Sequence, residues 1–311
     1  MTDASKKSAA LARPLTGIVV PMITPLINND TLDNEGLERL IEHILKADVK
    51  ALFILGTTGE GPSLSYSLRH QVIERTCRQV AERVPVLVGI TDTSFTESIN
   101  VARKAADLGA QGLVLAHPCY FPAAQCEIVD YVTDMAPKLP LDVFLYNMPS
   151  HTKLTFSPET VRKAAQIKGV VGLKDSSANM FYLHKVQVEL RDRPDFTLLV
   201  GPEELLAETV LTGGHGGVNG GANMKPQLYV DLYNAAKARD FTKIQSLHDQ
   251  VMDISSKIYS VGAHSSYLRG LKCALSCMGI CSDALAQPFR PFGPEERKII
   301  TKNVEQLGLK Q

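Results

Sequence analysis

Short runs of apolar residues recur along the chain and alternate with longer segments in which apolar positions follow a helical period. The short runs are apolar throughout, which is typical of strands buried on both faces of a parallel sheet. They lie at residues 17–24, 51–55, 84–90, 112–116, 141–146, 169–174, 196–200 and 215–219. The segments between them predict helices at 34–47, 68–83, 96–108, 126–138, 158–166, 180–190 and 203–212.

The number of strand and helix units distinguishes two α/β architectures. Eight units spread over roughly 200–250 residues is the size of a closed (β/α)8, or TIM, barrel. An open doubly wound sheet is the alternative, but it usually carries a glycine-rich ligand motif at its first turn, which the first run, GIVVPMITPL, lacks. We therefore predict a TIM barrel at residues 15–225, preceded by an N-terminal extension at 1–14.

After residue 225 the runs of strand type stop. Residues 226–240, 241–260, 264–279 and 294–308 have helical patterns, with breaks at Asp240, at 261–263 and at the proline-rich segment 288–294. The sequence therefore predicts a C-terminal helical appendage at residues 226–311.

The composition narrows the class of partner. The 311 residues include 33 basic and 33 acidic side chains, so the net charge gives no reason to expect a nucleic acid or an anionic membrane. No uncharged apolar run reaches the roughly 18 residues of a membrane span, and the first residues lack the apolar core of a secretory signal. We expect a cytoplasmic protein that acts on a small molecule.

Six cysteines are typical of a reducing compartment, where they pack as small apolar side chains. Cys273, Cys277 and Cys281 follow one another at intervals of four residues and are expected to share one face of a helix. Thiolates favour zinc, but no CxxC pair or nearby histidine completes a tetrahedral site. The sequence therefore predicts no metal.

Reactive side chains stand where several predicted strands end. Because the carboxyl ends of barrel strands share one face, residues far apart in sequence meet there. Lys174 ends an entirely apolar run, and its burial would disfavour the charged ammonium and leave an amine able to attack a ketone and form a Schiff base. The alternatives are a lysine that reaches solvent or pairs with Asp175.

Three further residues at the same rim suit such chemistry. Tyr146 ends the neighbouring strand, where its hydroxyl could shuttle protons, although an aromatic residue at a strand end can also serve packing alone. Thr57 and Thr58 offer hydroxyls and backbone N–H groups in a turn that glycines permit, suited to a carboxylate or to a proton relay with Tyr146.

Two glycine-rich segments raise the question of phosphate binding. GTTGEG at 56–61 lacks the Lys-Ser/Thr ending of a P-loop and the spacing of a dinucleotide fingerprint, so a nucleotide site is not predicted there. GGHGGVNGGAN at 213–223 spans the eighth strand. Its glycines suit a phosphate, a close backbone approach to a small keto acid, or simple turns.

GTTGEG (56–61), YNMPSHT (146–152) and GLKDSS (172–177), in this order and spacing, resemble the dihydrodipicolinate synthase / N-acetylneuraminate lyase family of class I aldolases. The likeness spans nearly the whole chain, through HPCYF (117–121) and GGANMKP (220–226) to LRGLKCALSCMGI (268–280). The resemblance implies a TIM barrel with a C-terminal helical part, a homotetramer built from tight dimers, and no metal or organic cofactor.

The resemblance also implies roles for residues of the three motifs GTTGEG, YNMPSHT and GLKDSS. Lys174 would form the Schiff base with the C2 carbonyl of pyruvate or a pyruvate-derived substrate, and Tyr146 would be the general acid and base. Thr57 and Thr58, with Gly59 in the same turn, would bind the keto-acid carboxylate and relay protons. The imine would act as the electron sink for a carbanion at C3.

Other positions carry expectations from the same resemblance. Tyr120 would complete a proton relay across the dimer interface, and the backbone around Val218 and Asn219 would line the keto-acid pocket. His151 stands where synthases typically carry an arginine that holds the second substrate's carboxylate, and a histidine lacks that permanently charged fork. Cys119 stands where synthases tend to carry another tyrosine.

The residue at 151 bears on the second substrate. Sugar-acid aldolases and dehydratases of the family also generally lack the arginine, which favours a 2-keto-3-deoxy sugar acid, or pyruvate with an aldehyde. The residues around His151 look more like the synthases, so condensation of pyruvate with aspartate semialdehyde is the alternative. A non-catalytic keto-acid-binding barrel and a phosphate-binding isomerase with Glu60 as base are rivals of other classes, and Lys174 with Tyr146 favours the aldolase.

Overall fold

A computed structural model describes residues 11–263 and 266–310. Its centre is a closed barrel of parallel strands. These strands are β1 (Gly17–Pro21), β4 (Ala51–Ile54), β5 (Val86–Gly89), β6 (Gly112–Ala116), β7 (Val143–Asn147), β8 (Val170–Asp175), β9 (Thr197–Val200) and β10 (Gly216–Val218). Around the barrel they follow the order β1-β10-β9-β8-β7-β6-β5-β4. Each coincides with one of the eight apolar runs, so the predicted TIM barrel is confirmed.

Helices follow the strands and cover the outside of the barrel. They are α1 (Asn34–Ile44), α2 (Tyr66–Val80), α3 (Phe95–Asp107), α4 (Gln125–Met135), α5 (Pro149–Thr152), α6 (Pro158–Ala165), α7 (Met180–Glu189), α8 (Leu206–Leu211) and α9 (Pro226–Ala238). Several begin at a side chain that accepts a hydrogen bond from the first turn, as Ser94 does from the Glu97 N–H. The α9 helix follows the last strand and packs on β1 and α8, the position of an eighth barrel helix.

A short antiparallel pair, β2 (Leu26–Asn28) and β3 (Thr31–Leu32), lies outside the barrel. It was not predicted, because its strands are too short to show an apolar period. The four-residue helix α5 was likewise not predicted.

Two apolar cores result from the alternation of side chains along each strand. The outer core joins the strands to the helices, and a smaller inner core fills the barrel. Phe144 and Tyr146, two residues apart on β7, both belong to the inner core, as does Phe53 on β4. Every second strand residue, including these three, faces the barrel axis. Side chains of this set at the ends of the strands therefore point toward the same opening of the barrel.

The C-terminal appendage consists of α10 (Phe241–Ile254), which continues into a π-helical turn (Ser255–Tyr259), then α11 (Ser266–Cys277) and α12 (Pro294–Gln306). The predicted helices are therefore present. Cys281 lies beyond the end of α11, so the expectation that three cysteines share a helix face is wrong. Within 11–263 and 266–310, no group of three or more His, Cys, Asp or Glu could hold a metal, and no helix is long and apolar enough to cross a membrane.

Candidate active site

Lys174 is the penultimate residue of β8 and lies at the carboxyl end of the barrel. Its side chain is 6% exposed. Its Nζ lies 4.2 Å from the centroid of the Tyr146 ring and 5.1 Å from that of Phe53, and it forms no hydrogen bond or ion pair with any described residue. Asp175 instead accepts hydrogen bonds from Asn147 and Ser177. Lys174 therefore neither reaches solvent nor pairs with its neighbouring carboxylate.

Tyr146 is brought to Lys174 by the strand register. The β7 and β8 strands are neighbours, and Tyr146 pairs with Lys174 across them. The Tyr146 hydroxyl lies 3.3 Å from Thr57 Oγ1, which continues the group of polar atoms toward the turn after β4. Tyr146 and Lys174 are both buried, so a proton passing between their side chains would be shielded from bulk water.

The next residue, Thr58, faces a different partner. Its Oγ1 lies 3.2 Å from the hydroxyl of Tyr267, which belongs to the first turn of α11 in the appendage. The two adjacent threonines therefore meet two different phenols, one from the barrel and one from the C-terminal helices.

The glycines of the turn after β4 serve close packing of the backbone. A Cβ on Gly61 would lie 2.1 Å from the Leu55 carbonyl oxygen, and one on Gly59 would lie 2.9 Å from the Leu55 nitrogen. The Gly59 carbonyl accepts a hydrogen bond of 2.7 Å from Thr24. Glu60, buried in the same turn, pairs with Lys272 of α11. The acid thus fixes the turn to the appendage and is not free to act as a base.

The second glycine-rich segment lies at the end of β10, which is separated from β4 by β1 alone. Val218 belongs to the inner core, and Asn219 is fully buried, with its Nδ2 donating to the Gly201 carbonyl at 3.2 Å. The Asn219 Oδ1 is buried and has no hydrogen-bond partner among the described residues. Both residues therefore lie at the end of β10, and their part in a keto-acid pocket stays a prediction from the family resemblance.

The glycines that follow Asn219 make room for tyrosine hydroxyls. A Cβ on Gly220 would lie 1.8 Å from the Tyr267 hydroxyl, and one on Gly221 would lie 1.8 Å from the Tyr229 hydroxyl. Part of this segment's glycine content is thus explained by side chains of the same chain.

Two predicted residues stand apart from the cluster within the single chain. Tyr120 is 78% exposed and stacks edge-on against Phe121, with ring centroids 5.1 Å apart. His151 lies on α5 after β7, and its Nδ1 lies 2.9 Å from Ser150 Oγ. Partial burial, followed by the charge of Lys153, lowers the pKa of His151 below its ordinary value of 6.5, so the ring is neutral at pH 7.

Sequence reasoning missed Phe53 and Tyr267 as parts of the site. Phe53 carries a partial signal, because side chains alternate along ALFIL and one of its two faces, that of Phe53 or that of Leu52 and Ile54, must point toward the barrel axis. Tyr267 carries no such signal, since its place depends on how the appendage folds back onto the barrel. The resulting arrangement, a buried unpaired amine beside a phenol and a hydroxyl, suits nucleophilic attack on a carbonyl with proton transfer nearby.

Comparison with known proteins agrees with this geometry. Residues 14–307 match the model of the dihydrodipicolinate synthetase family. A 4-hydroxy-tetrahydrodipicolinate synthase of Coxiella burnetii is 29% identical, with 94% of this chain and 99% of that protein covered. A probable 2-dehydro-3-deoxy-D-pentonate aldolase of Escherichia coli K12 is also 29% identical, covering 92% and 95%.

Solved structures give the same result. A dihydrodipicolinate synthase from Bacteroides thetaiotaomicron is 55% identical, with a TM-score of 0.92 over 94% of this chain and 99% of that one. YagE, a prophage protein of Escherichia coli K12 solved with pyruvate, is 29% identical, with a TM-score of 0.89 over 94% and 99%. The chain belongs to the dihydrodipicolinate synthetase family. It is accordingly an enzyme, a lyase of the aldolase type.

Proposed function

We propose that the enzyme forms a Schiff base between Lys174 and the C2 carbonyl of pyruvate, or of a larger 2-keto acid that yields pyruvate. The observation that carries this proposal is the buried Lys174 amine, which has two aromatic rings as neighbours and no counter-ion among the described residues. The pyruvate complex of YagE supports pyruvate as the ligand class.

The proposed reaction uses the cluster in sequence. The Lys174 amine attacks C2, and its two protons pass by way of Tyr146 to the carbonyl oxygen, which leaves as water. Thr57, at 3.3 Å from the Tyr146 hydroxyl, passes protons to and from that phenol. The imine then withdraws electrons from C3, so that a C3–H proton or a C3–C4 bond is lost readily. No metal or organic cofactor is required, because the imine is the electron sink.

The carboxylate of the keto acid is assigned to the turn after β4 and the end of β10. Thr58 offers its hydroxyl there, and the chain around Gly59, Val218 and Asn219 supplies a narrow, buried wall. The unpaired Asn219 Oδ1 is an acceptor that suits a hydroxyl or N–H of a bound molecule or water.

For the second substrate we propose a hydroxylated aldehyde, so that the full substrate or product is a 2-keto-3-deoxy sugar acid. The neutral ring of His151 provides no fixed positive charge for a second carboxylate. The resemblance to a pentonate aldolase supports this class. Condensation with aspartate semialdehyde is the second candidate, favoured by the 55% identity to the Bacteroides thetaiotaomicron synthase.

The Schiff base is tested by incubating the protein with pyruvate and borohydride and then measuring its mass and the modified peptide. We expect one reduced adduct per chain, on Lys174. An unmodified protein, or an adduct on another lysine only, would contradict the proposal.

The second substrate is tested by separate assays of pyruvate with aspartate semialdehyde, pyruvate with hydroxylated aldehydes, and 2-keto-3-deoxy acids in the cleavage and dehydration directions. We expect the highest kcat/KM with a sugar-acid pair. A higher value for aspartate semialdehyde would establish the synthase reaction in its place. The matched variant His151→Arg is expected to raise the relative kcat/KM for the carboxylate-bearing aldehyde by about tenfold.

We further propose that the enzyme is a homotetramer of tight dimers in which Tyr120 meets the site of the partner subunit. The exposed pair Tyr120 and Phe121 supports an interface there, because two adjacent aromatic side chains form an apolar patch of the kind that a partner covers. Sedimentation of the wild type and of Tyr120→Asp tests this. Loss of the dimer together with loss of activity is expected, and an active monomer would contradict it.

A further inference from the structure

The appendage contributes a phenol to the active site from within the same chain. The Tyr267 hydroxyl lies 3.2 Å from Thr58 Oγ1, and its position is enclosed by the backbone at Gly220, where a Cβ would lie 1.8 Å from that hydroxyl. The Thr58 side chain is itself 6% exposed. This contact is therefore closely packed and is not a chance meeting of surface groups.

Tyr267 is held in place by a second group of polar residues. Its ring packs edge-on against Tyr259 with centroids 4.8 Å apart. The Tyr259 hydroxyl donates to Glu203 Oε1 at 2.9 Å, and Tyr229 donates to the same oxygen at 2.7 Å. Glu203 Oε2 accepts from the Gly221 N–H at 2.7 Å. The appendage, the barrel helix α9 and the β10 loop are thus joined behind Tyr267.

We infer that Tyr267 is a positioning residue for keto-acid binding, which orients the Thr58 hydroxyl toward the substrate carboxylate. The inference rests on the proposed function, because it requires a keto acid bound at Thr58. It distinguishes the two phenols of the site: Tyr146 would transfer protons at the reacting carbon, whereas Tyr267 would act on binding.

The physical basis is the direction of the hydrogen bond. A hydroxyl carries one proton, so Thr58 can donate to a carboxylate only if it does not donate to Tyr267. A phenol is the stronger acid of the pair and is the natural donor between them, which leaves the threonine proton free to point into the pocket. A hydroxyl that accepts one hydrogen bond also donates the next one more strongly. Without the phenol, the threonine hydroxyl would rotate among several orientations.

The test compares two ketones, one with and one without a carboxylate. Trapping with a hydride reagent is measured as a function of concentration for pyruvate and for acetone, in the wild type and in Tyr267→Phe. We expect the half-saturating pyruvate concentration to rise about tenfold in the variant, with a maximal rate within about twofold of the wild type. Trapping of acetone, which has no carboxylate to bind, should be unchanged.

A matched control removes a phenol hydroxyl at the other end of the barrel. Tyr233 lies beside Thr16 and His215, which precede β1 and β10, and Tyr233→Phe should leave both ketones unaffected. A second measurement uses Thr58→Val, which removes the hydroxyl through which Tyr267 acts. Adding Tyr267→Phe to that variant should have no further effect on pyruvate, because the two changes remove one interaction.

The outcomes separate this inference from the proposed function. Equal losses with pyruvate and acetone, or no loss with either, would overturn the role of Tyr267 while leaving the Schiff base intact. Additive effects of Thr58→Val and Tyr267→Phe would overturn it as well. If pyruvate and the hydride reagent do not label the wild-type protein, both the proposed function and this inference are overturned.

Discussion

Two lysines are buried in the described part of the chain, and they differ in what surrounds their amines. Lys174, at the end of β8, has two aromatic rings near its Nζ and no counter-ion among the residues that the structure describes. Lys272, on α11, is fully buried, pairs with Glu60 and donates to the Ala284 carbonyl at 2.7 Å. Desolvation lowers the pKa of Lys272, while the Glu60 carboxylate opposes that shift.

The difference separates the amine that we propose to be reactive from a structural one. Burying an amine without a partner costs stability, so such a residue is retained for what it can do. A buried amine with a carboxylate and a carbonyl has its hydrogen bonds satisfied, and it joins the two elements that carry those groups. Lys272 thus fixes the turn that bears Thr57 and Thr58, and Lys174 is left available for substrate.

The comparison predicts opposite effects of one substitution at the two sites. Lys174→Met should lower kcat/KM by about four orders of magnitude, because it removes the amine that we propose forms the imine. It should leave the free energy of unfolding unchanged or raise it slightly, since methionine fills similar space without a polar group. Steady-state kinetics and urea unfolding measure the two quantities. A variant that keeps activity, or one that unfolds far more easily, would break the comparison.

Lys272→Met should instead act on stability. Removing one member of a buried ion pair leaves the Glu60 carboxylate uncompensated, which costs about 3–5 kcal/mol of unfolding free energy. The control is the double variant Glu60→Gln with Lys272→Met, which has no buried charge left and should recover much of the loss. Urea unfolding of all three proteins checks this. Equal stability of Lys272→Met and wild type would contradict the structural role.

The same two lysines show which contacts of the site can be predicted from the sequence. Lys174 and Tyr146 were predicted to meet, because each ends an apolar strand and barrel strands end on one face. The helix that carries Lys272 and Tyr267 was predicted, but the contacts of these two residues with the site were not. A helical period shows which face of a helix is apolar but not where the appendage packs on the barrel. Contacts between residues 209 or 212 positions apart in the sequence therefore cannot be predicted from it.

The fold was predictable to a similar degree. All eight barrel strands are visible as apolar runs, because a parallel strand is covered on both faces. The pair β2 and β3 was not, since strands of two and three residues have no detectable period. The division of the chain at residue 225 stays a prediction; in the structure, α9 packs on β1 directly after it.

Glu203 extends the comparison to a buried acid that forms no ion pair among the described residues. Burial raises its pKa from 4.5 to about 7, while the Gly221 N–H and the tyrosine hydroxyls oppose the rise. Between pH 4.5 and pH 7, Glu203 is deprotonated in the unfolded chain but stays protonated in the folded protein. The free energy of unfolding therefore falls as pH rises from 4.5 to 7. Relative to Glu203→Gln, wild type should lose about 3 kcal/mol across this range. Urea unfolding at several pH values measures it, and parallel pH profiles would show that Glu203 ionises as freely in the folded protein as in the unfolded chain.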